Sequence, residues 1–421
     1  MSAETTPADA ALRARREAAM GPAYRLFYER PLHIVRGEGV WLYDAEGRRY
    51  LDAYNNVACV GHAHPRVVEA LYGQAATLNT HTRYLGEEIV AYAEALLAKL
   101  PSAIANVMFT CTGSEANDLA VRIARTVTGG AGLIVTANAY HGVTAAIAEA
   151  SPSLGAENPI GPAVWVVPAP TGGPGASLAF AEGVLAALAG MNAKGVRPAA
   201  LLVDTIFSSD GLIADPAGFL ADAVQPVRAA GGLFIADEVQ AGFGRVGTAF
   251  WGFARHGLTP DLVTMGKPMG NGHPIGAVAA RAALTAEFGA KVRYFNTFGG
   301  NPVSAAVGLA VLSLIEDEGL AANSQHVGGR LASGIEGLRH PLVREVRSAG
   351  LFIGVELARD GVPAPADAAR IVNRLREVDG ILISATGPGG NVLKIRPPLV
   401  LKAEEADVIA AAVGEALAVL D

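Results

Sequence analysis

The chain has 421 residues, of which 51% are hydrophobic and 17% are charged, and its composition fits a compact α/β protein of two or three folding units. A net charge of −7 without a basic cluster argues against nucleic acid as a partner. The two cysteines, Cys59 and Cys111, allow at most one disulfide, and we expect both to be reduced.

The first 31 residues mix charged side chains with alanine and lack the apolar core of a signal peptide, so they predict a surface helix. The longest apolar stretch, at 304–315, is too short to span a membrane and predicts a buried helix over 302–317. We therefore expect a cytoplasmic protein without a membrane partner.

The elements that follow the N-terminal helix change character along the chain. Segments 39–44 and 49–53 flank a turn and predict a β-hairpin. From residue 106 onward, short apolar strands alternate with Ala-rich helices, the first of them at 114–127. The predicted strands are 107–110, 133–136, 164–167, 200–204, 233–237, 262–265 and 276–280. Uniformly apolar strands separated by helices predict an α/β fold with a mainly parallel sheet covered on both faces.

The C-terminal part of the chain predicts a smaller α+β domain. Strands at 351–357 and 392–395 alternate there with helices at 366–379 and 403–419. We assign residues 61–319 to a large domain and residues 320–421 to the small domain. Residues 1–60, with the N-terminal helix and β segment, are expected to complete the small domain.

Three sites carry residues suited to chemistry, and the first is the small-residue turn 112–118. It follows a strand and opens a helix, so its free backbone N–H groups and the helix dipole favour an anion. Ser114 can cap this helix and can also donate its hydroxyl to a phosphate. Taken alone, the turn is better explained by a capping box with nothing bound.

The second and third sites are an acid and an amine. Asp237 ends an apolar strand, which places its carboxylate at the sheet edge where α/β proteins bind ligands. Lys267 follows another strand within a segment of Gly, Met, Pro and Asn, where an amine can lose its proton and attack an aldehyde. Taken singly, a strand-end acid or a solvated loop lysine is commonplace.

Two other patterns are weaker. Segment 242–247 satisfies the glycine spacing of a dinucleotide site, but an aromatic-rich loop follows it where such a site needs a helix. His62 and His64 lack a third ligand, so we expect no metal.

The anion site, strand-end acid and loop lysine, in this order, resemble the fold-type-I enzymes that use pyridoxal 5′-phosphate (PLP), specifically the class III aminotransferase family. The likeness runs from Gly39 to about Val400 and is most specific in segment 235–245, followed by Lys267. The resemblance implies PLP bound as a Schiff base on Lys267. It also implies that Asp237 pairs with the pyridine nitrogen, where a carboxylate makes the ring a better electron sink, and that Gln240 contacts the ring hydroxyl.

The same resemblance assigns the other cofactor contacts. Gly113 and Ser114 would hold the phosphate, while Tyr140 would stack on the ring in a cofactor-binding segment that includes His141. Thr297 would reach the phosphate from the neighbouring subunit. The resemblance thus implies a homodimer whose active sites are shared between subunits.

The type of reaction depends on the anion-binding groups. In every case a substrate amine displaces Lys267, which then takes a proton from the adjacent carbon. The family's arginine clamp for an α-carboxylate falls at Lys394 here, and we expect Arg396 on the other face of the strand. A point charge does not replace the planar guanidinium fork. The segment 202–211 also lacks the family's Glu-Pro signature.

Segments 54–62, 78–85, 265–273 and 391–395 resemble a narrower branch, the ethanolamine-phosphate and phosphohydroxylysine phospho-lyases. That resemblance implies cleavage of O-phosphoethanolamine, or a similar phosphorylated amine, to aldehyde, phosphate and ammonia. Candidates for binding this substrate are Asn55, Asn56, Arg83, Lys394 and Arg396. The alternative is an ω-amino-acid or amine:pyruvate aminotransferase, which the PLP residues fit equally well.

Overall fold

The computed structural model describes residues 6–171, 173 and 175–420. Its main feature is a seven-stranded sheet. The strands are β4 (Ile104–Thr110), β5 (Gly132–Thr136), β6 (Val164–Val167), β7 (Pro198–Asp204), β8 (Leu233–Asp237), β9 (Leu262–Met265) and β10 (Gly276–Arg281). Their order is β4-β10-β9-β8-β7-β5-β6, and only β10 runs antiparallel to its neighbours. All seven predicted strands are present, and the mainly parallel sheet is confirmed.

Helices cover both faces of this sheet, which explains why its strands are apolar at nearly every position. Leu133 and Leu202 pack into one buried cluster, whereas their neighbours Ile134 and Val203 pack into another on the opposite face. The helices of this part are α2 (Pro65–Thr77), α3 (Glu87–Leu97), α4 (Gly113–Thr128), α5 (Ala145–Ala148), α6 (Ala176–Ala193), α7 (Ala221–Ala229), α8 (Ala282–Lys291) and α9 (Pro302–Asp317). Helix α9 has the predicted bounds and buries most of its side chains.

Two smaller sheets complete the structure. The first has the order β1-β2-β3-β14, and the second has the order β11-β12-β16-β15 with β13 paired to β12. Their strands are β1 (Ile34–Glu38), β2 (Trp41–Asp44), β3 (Arg49–Asp52), β11 (Val343–Ser348), β12 (Ile353–Arg359), β13 (Val362–Pro363), β14 (Ile381–Leu382), β15 (Ser384–Thr386) and β16 (Val392–Ile395). Strand β14 pairs with β3, so the N-terminal hairpin shares a sheet with C-terminal residues. The domain boundaries themselves stay a prediction.

The remaining helices are α1 (Pro7–Met20), α10 (Leu320–Glu336), α11 (Pro365–Arg374) and α12 (Ala403–Ala418). The helix predicted at 366–379 continues beyond α11 as a π-helical turn, Leu375–Asp379. Helix α1 buries none of its residues, as expected for a surface helix. Across the described residues, no helix is both long and apolar enough to cross a membrane.

The main sheet places the candidate functional residues at one edge, where its parallel strands end. Asp204 and Asp237 end the parallel strands β7 and β8 as register partners, and Asp237 is the register partner of Thr264 in β9. Helix α4 begins at the end of β4, which lies in the same sheet. The carboxyl ends of the parallel strands therefore meet the helix N-terminus, which is where α/β sheets bind ligands.

Candidate active site

A cavity of about 290 Å³ lies at this edge. Residues from six separate stretches of the chain line it, and they include every predicted cofactor residue except Thr297. These are Gly113, Ser114, Tyr140, His141, Asp237, Gln240 and Lys267. Tyr140 is the most exposed of them at 39%, which leaves its ring accessible from the cavity.

The N-terminus of α4 forms one end of the cavity. Thr112, not Ser114, is the N-cap residue: its side-chain oxygen accepts from Glu115 N at 3.1 Å, and Glu115 accepts in return from Thr112 N. The prediction that Ser114 caps the helix is therefore wrong, because Ser114 lies one residue inside it. This capping box leaves the N–H groups of Gly113 and Ser114 without a capping partner, so they can bind an anion.

Glycines allow the chain to approach this helix end closely. A Cβ at Gly142, whose φ is 138°, would lie 2.5 Å from the Ser114 hydroxyl oxygen. A Cβ at Gly266 would lie 3.1 Å from Gly113 N. Larger residues at these positions would displace the helix end or the lysine segment.

Asp237 is held by a buried network. One of its oxygens lies 2.7 Å from His141 Nδ1 and accepts a hydrogen bond from Asn117 Nδ2 at 2.9 Å. The other accepts from Val239 N at 3.1 Å. Thr264 donates to Asn117 Oδ1 and fixes the orientation of that amide. His141 therefore contacts Asp237 directly, and the network fixes the orientation of the Asp237 carboxylate at the cavity.

Lys267 follows β9 after Gly266 and begins a short 3₁₀ helix, Lys267–Gly270. Burial, together with the positive charge of Arg396, lowers the pKa of Lys267 below its usual value. A larger fraction of the amine is then uncharged near neutral pH, as a nucleophile or base requires.

The side-chain oxygen of Gln240 accepts two hydrogen bonds. Asn56 Nδ2 and Arg396 Nη1 both donate to Gln240 Oε1, at 2.8 and 2.5 Å. Asn56 and Arg396 are both buried. Asn55 lies outside the cavity lining, and its side-chain oxygen accepts from Val57 N at 3.1 Å.

Lys394 and Arg396 lie on the same side of the sheet, and the expectation that Arg396 is on the other face is wrong. The Lys394 ammonium lies 5.6 Å and the Arg396 guanidinium 5.9 Å from the centre of the Phe352 ring. Side chains two positions apart along a strand share a face, which explains the arrangement. Burial lowers the pKa of Lys394 well below its usual value, and the charge of Arg396 lowers it further.

Two predicted residues lie elsewhere in this single chain. Arg83 and Thr297 are exposed and do not line the cavity. They belong to neighbouring surface segments, since the Arg83 guanidinium lies 3.8 Å from the centre of the Phe295 ring.

The sequence reasoning missed Asp204 and Asn117, which both line the cavity. Asp204 ends its strand as Asp237 does, so the argument used for Asp237 could have found it. Burial raises the pKa of Asp204 above its usual value. Asn117 is one turn inside α4, and no local signal distinguishes it from other buried helix residues.

The histidines considered for a metal have carboxylate neighbours instead. His62 Nε2 lies 2.7 Å from Asp52 Oδ2, and His64 Nε2 lies 3.6 Å from Glu318 Oε1. No group of three or more His, Cys, Asp or Glu side chains among the described residues is arranged to hold a metal ion.

Glu238, next to Asp237, gives a prediction for stability. Its carboxylate accepts from Thr205 Oγ1, Gly252 N and Phe253 N at 2.7–2.8 Å, and burial raises its pKa to about 7. Between pH 4.5, its usual pKa, and about 7, the folded protein keeps a proton that the unfolded chain releases, so this group's contribution to stability falls as pH rises.

We expect Glu238→Gln to destabilise the fold by about 1–3 kcal/mol, because its amide NH₂ would face a backbone N–H. The difference in Tm from wild type should be largest near pH 5 and should shrink by pH 8. A difference that stays constant over this range would contradict the raised pKa.

Three features of the site match three parts of PLP. The open N–H groups of α4 suit its phosphate, the buried Asp237 carboxylate suits a protonated ring nitrogen, and the Lys267 amine suits its aldehyde. The fold and site together define a PLP-dependent enzyme of fold type I. The sequence profile named aminotransferase class-III matches residues 27–417, and the chain belongs to that family. Its cofactor is PLP.

Individual relatives carry two kinds of names. A Drosophila melanogaster protein named alanine–glyoxylate aminotransferase 2-like is 42% identical over 92% of this chain and 83% of its own length. A Caenorhabditis elegans protein named ethanolamine-phosphate phospho-lyase homolog 1 is 36% identical over 91% of this chain and 88% of its own. A solved phospholyase from Arthrobacter, in complex with phosphoethanolamine, is 46% identical with a TM-score of 0.94, covering 97% of this chain and all of that one.

Proposed function

We propose that this enzyme is a phospho-lyase that eliminates phosphate from O-phosphoethanolamine or a similar phosphorylated amine. The observation that carries this proposal is the 46% identity, over 97% of this chain, to a phospholyase solved with phosphoethanolamine. The substitution of the family's arginine clamp by Lys394 supports it, because a substrate without an α-carboxylate does not need a guanidinium fork.

The reaction uses few groups of the protein. Bound PLP supplies the aldehyde that condenses with the substrate amine and the ring that takes up an electron pair. Lys267 takes the proton from the carbon that bears the nitrogen, and phosphate leaves from the adjacent carbon with the C–O electrons. Asp237 stabilises positive charge on the ring nitrogen. Overall, one water and one phosphoethanolamine give acetaldehyde, ammonia and phosphate.

The charges near Lys267 suit a dianion. Three basic side chains lie close together here: the charge of Arg396 acts on both Lys267 and Lys394, and the charge of Lys267 acts on Lys394. Within the described residues, no carboxylate lies within ion-pair distance of the Lys394 ammonium, and the charge that favours its protonation comes from Asp204. We propose that Lys394 takes up a proton as the substrate phosphate arrives, because the dianion favours the charged form.

The test is acetaldehyde release from O-phosphoethanolamine by the PLP-loaded enzyme without a keto acid. Continuous turnover with phosphate and ammonia in equal amounts supports the lyase. A single turnover that leaves the cofactor as pyridoxamine phosphate and resumes on adding pyruvate would overturn it.

That second outcome is what the alternative function predicts. The Drosophila relative carries an aminotransferase name at 42% identity. An ω-amino-acid or amine:pyruvate aminotransferase would use Lys267 in the same first step and then return the proton to the cofactor. Dependence on a keto acid therefore separates the two functions.

We propose that the active unit is a homodimer in the cytoplasm. Near Thr297, the apolar side chains of Phe298 and Leu85 are 70% and fully exposed, and Phe295 is 41% exposed. Such an exposed apolar surface suits a second copy of the chain. In such a dimer, the family resemblance implies that Thr297 reaches the cavity of the neighbouring subunit.

Thr297→Ala is expected to weaken PLP binding about tenfold, because one hydroxyl donor to the phosphate is lost. Equilibrium titration of the apoenzyme with PLP measures the effect, and sedimentation checks that the variant remains dimeric. An unchanged Kd in a dimeric variant would remove Thr297 from the site.

Arg83→Ala is expected to raise KM for phosphoethanolamine at least about tenfold, since a charge-assisted contact to phosphate is lost. The inhibition constant of inorganic phosphate should rise in parallel. Arg66→Ala, which removes an exposed arginine paired with Asp317, serves as the control. A change in KM below about threefold would discard this role for Arg83.

A further inference from the structure

We propose that Arg396 is a positioning residue for the cofactor: with Asn56, it holds the Gln240 amide so that its NH₂ group, not its oxygen, faces the PLP ring. This differs from the substrate-binding role that the sequence suggests for Arg396 and Asn56. The inference holds for either reaction, because both reactions use the same cofactor site.

The orientation of Gln240 follows from its neighbours. Arg396 and Asn56 carry only donors on the nitrogens that contact Gln240 Oε1, at 2.5 and 2.8 Å. The amide oxygen must therefore point at them, because an NH₂ group in that position would face two donors. Gln240 lines the cavity together with Lys267 and Asp237, and its remaining polar group is a donor. A donor is what the anionic oxygen of the PLP ring requires.

Arg396 is itself fixed in place, as a positioning residue must be. It follows β16 and precedes two prolines, and its backbone N donates to Ala53 O at 2.8 Å. Its guanidinium lies 4.6 Å from the centre of the Tyr54 ring and is buried. A planar cation between an aromatic ring and an amide oxygen has little freedom to turn toward a substrate.

Hydrogen bonding at one end of an amide strengthens donation from the other, because both polarise the same group. Arg396 therefore both orients Gln240 and makes it a stronger donor to the ring oxygen. Its charge also acts directly on Lys267. A suitable experiment must separate the effect through Gln240 from the effect of charge alone.

Lys394 provides the matched control. It is a buried basic side chain near the same Phe352 ring, and the charge of Lys267 acts on it, yet it makes no hydrogen bond to Gln240. Arg396→Met and Lys394→Met would each be made in the wild-type protein and in the Gln240→Ala variant. Two properties of each variant would be measured: the Kd for PLP, and the pH midpoint of the absorbance change of the PLP-loaded enzyme.

Arg396→Met is expected to weaken PLP binding about tenfold alone and less than about twofold in the Gln240→Ala background. Arg396→Met should also raise the pH midpoint of the absorbance change. Part of this rise should disappear in the Gln240→Ala background. Lys394→Met should have equal effects in both backgrounds. Equal effects of Arg396→Met in both backgrounds, or coupling of Lys394 to Gln240 as strong as that of Arg396, would overturn the proposal.

A second variant keeps the proposal testable if Arg396→Met does not fold. Asn56→Ala removes the other donor to Gln240 Oε1 and should weaken PLP binding about threefold, again only when Gln240 is present. A loss of affinity independent of Gln240 would show that Asn56 acts on the fold or on the substrate instead. Circular dichroism of each apoenzyme would identify variants that are misfolded.

Discussion

Lys267→Ala is expected to lower kcat/KM by about 10³-fold or more, because this amine serves both as the attachment point of PLP and as the base. Its position at the end of β9, its burial and its lowered pKa all suit an uncharged amine. Steady-state kinetics with phosphoethanolamine measure the loss. The bound cofactor should also lose the absorbance change that depends on its bond to the lysine.

Two comparisons make this result specific. Added methylamine should restore part of the activity of the Lys267→Ala enzyme, because a small amine can enter the space left by the side chain and accept the proton. Lys394→Met removes another buried amine close to Lys267 and should lose far less activity. Similar losses in both variants, without rescue by methylamine, would refute the assignment of Lys267.

Asp237→Asn is expected to lower kcat about 10²-fold, a cost of about 2.7 kcal/mol in transition-state stabilisation. Asparagine keeps the size of the side chain but removes the negative charge that favours a protonated ring nitrogen. It also places an NH₂ group near His141 and Asn117, whose polar atoms contact Asp237 Oδ2 at 2.7 and 2.9 Å. The effect should therefore appear mainly in kcat at saturating PLP.

Asp210→Asn is the matched control for Asp237→Asn. Asp210 is also a buried carboxylate, bonded to Thr136 and Asn138, and it lies outside the cavity lining. Burial raises its pKa to about 6, so asparagine resembles the protonated form it readily adopts. Equal losses of kcat in the two variants would mean that Asp237 acts through the fold and not on the cofactor.

Corrections to the sequence interpretation concern side chains at the ends of elements. Ser114 was expected to cap α4, but the N-cap is Thr112, two residues earlier, which forms a capping box with Glu115. Arg396 was expected on the far face of its strand, yet it lies near the same ring as Lys394. The first difference follows from a helix that begins one residue earlier than expected, and the second follows because side chains two positions apart along a strand share a face.

The sequence by itself determined which segments form the strands of the main sheet, that both faces of the sheet are covered, and that Asp237 ends one of its strands and Lys267 follows another. These features depend on local patterns, because an uninterrupted apolar strand predicts burial on both faces and its last residue lies at the binding edge. The same local rule applied to β7 would have found Asp204 as well.

Only the tertiary structure decided which polar side chains, distant in sequence, form hydrogen bonds with one another. Gln240 receives donors from Asn56 and Arg396, which are 184 and 156 residues away, and no local pattern encodes that choice. Arg83 and Thr297 are both exposed in one chain, and the role proposed for Thr297 depends on a second copy. Backbone pattern is set by neighbours in sequence, whereas the partner of a buried polar group is set by whatever folding brings beside it.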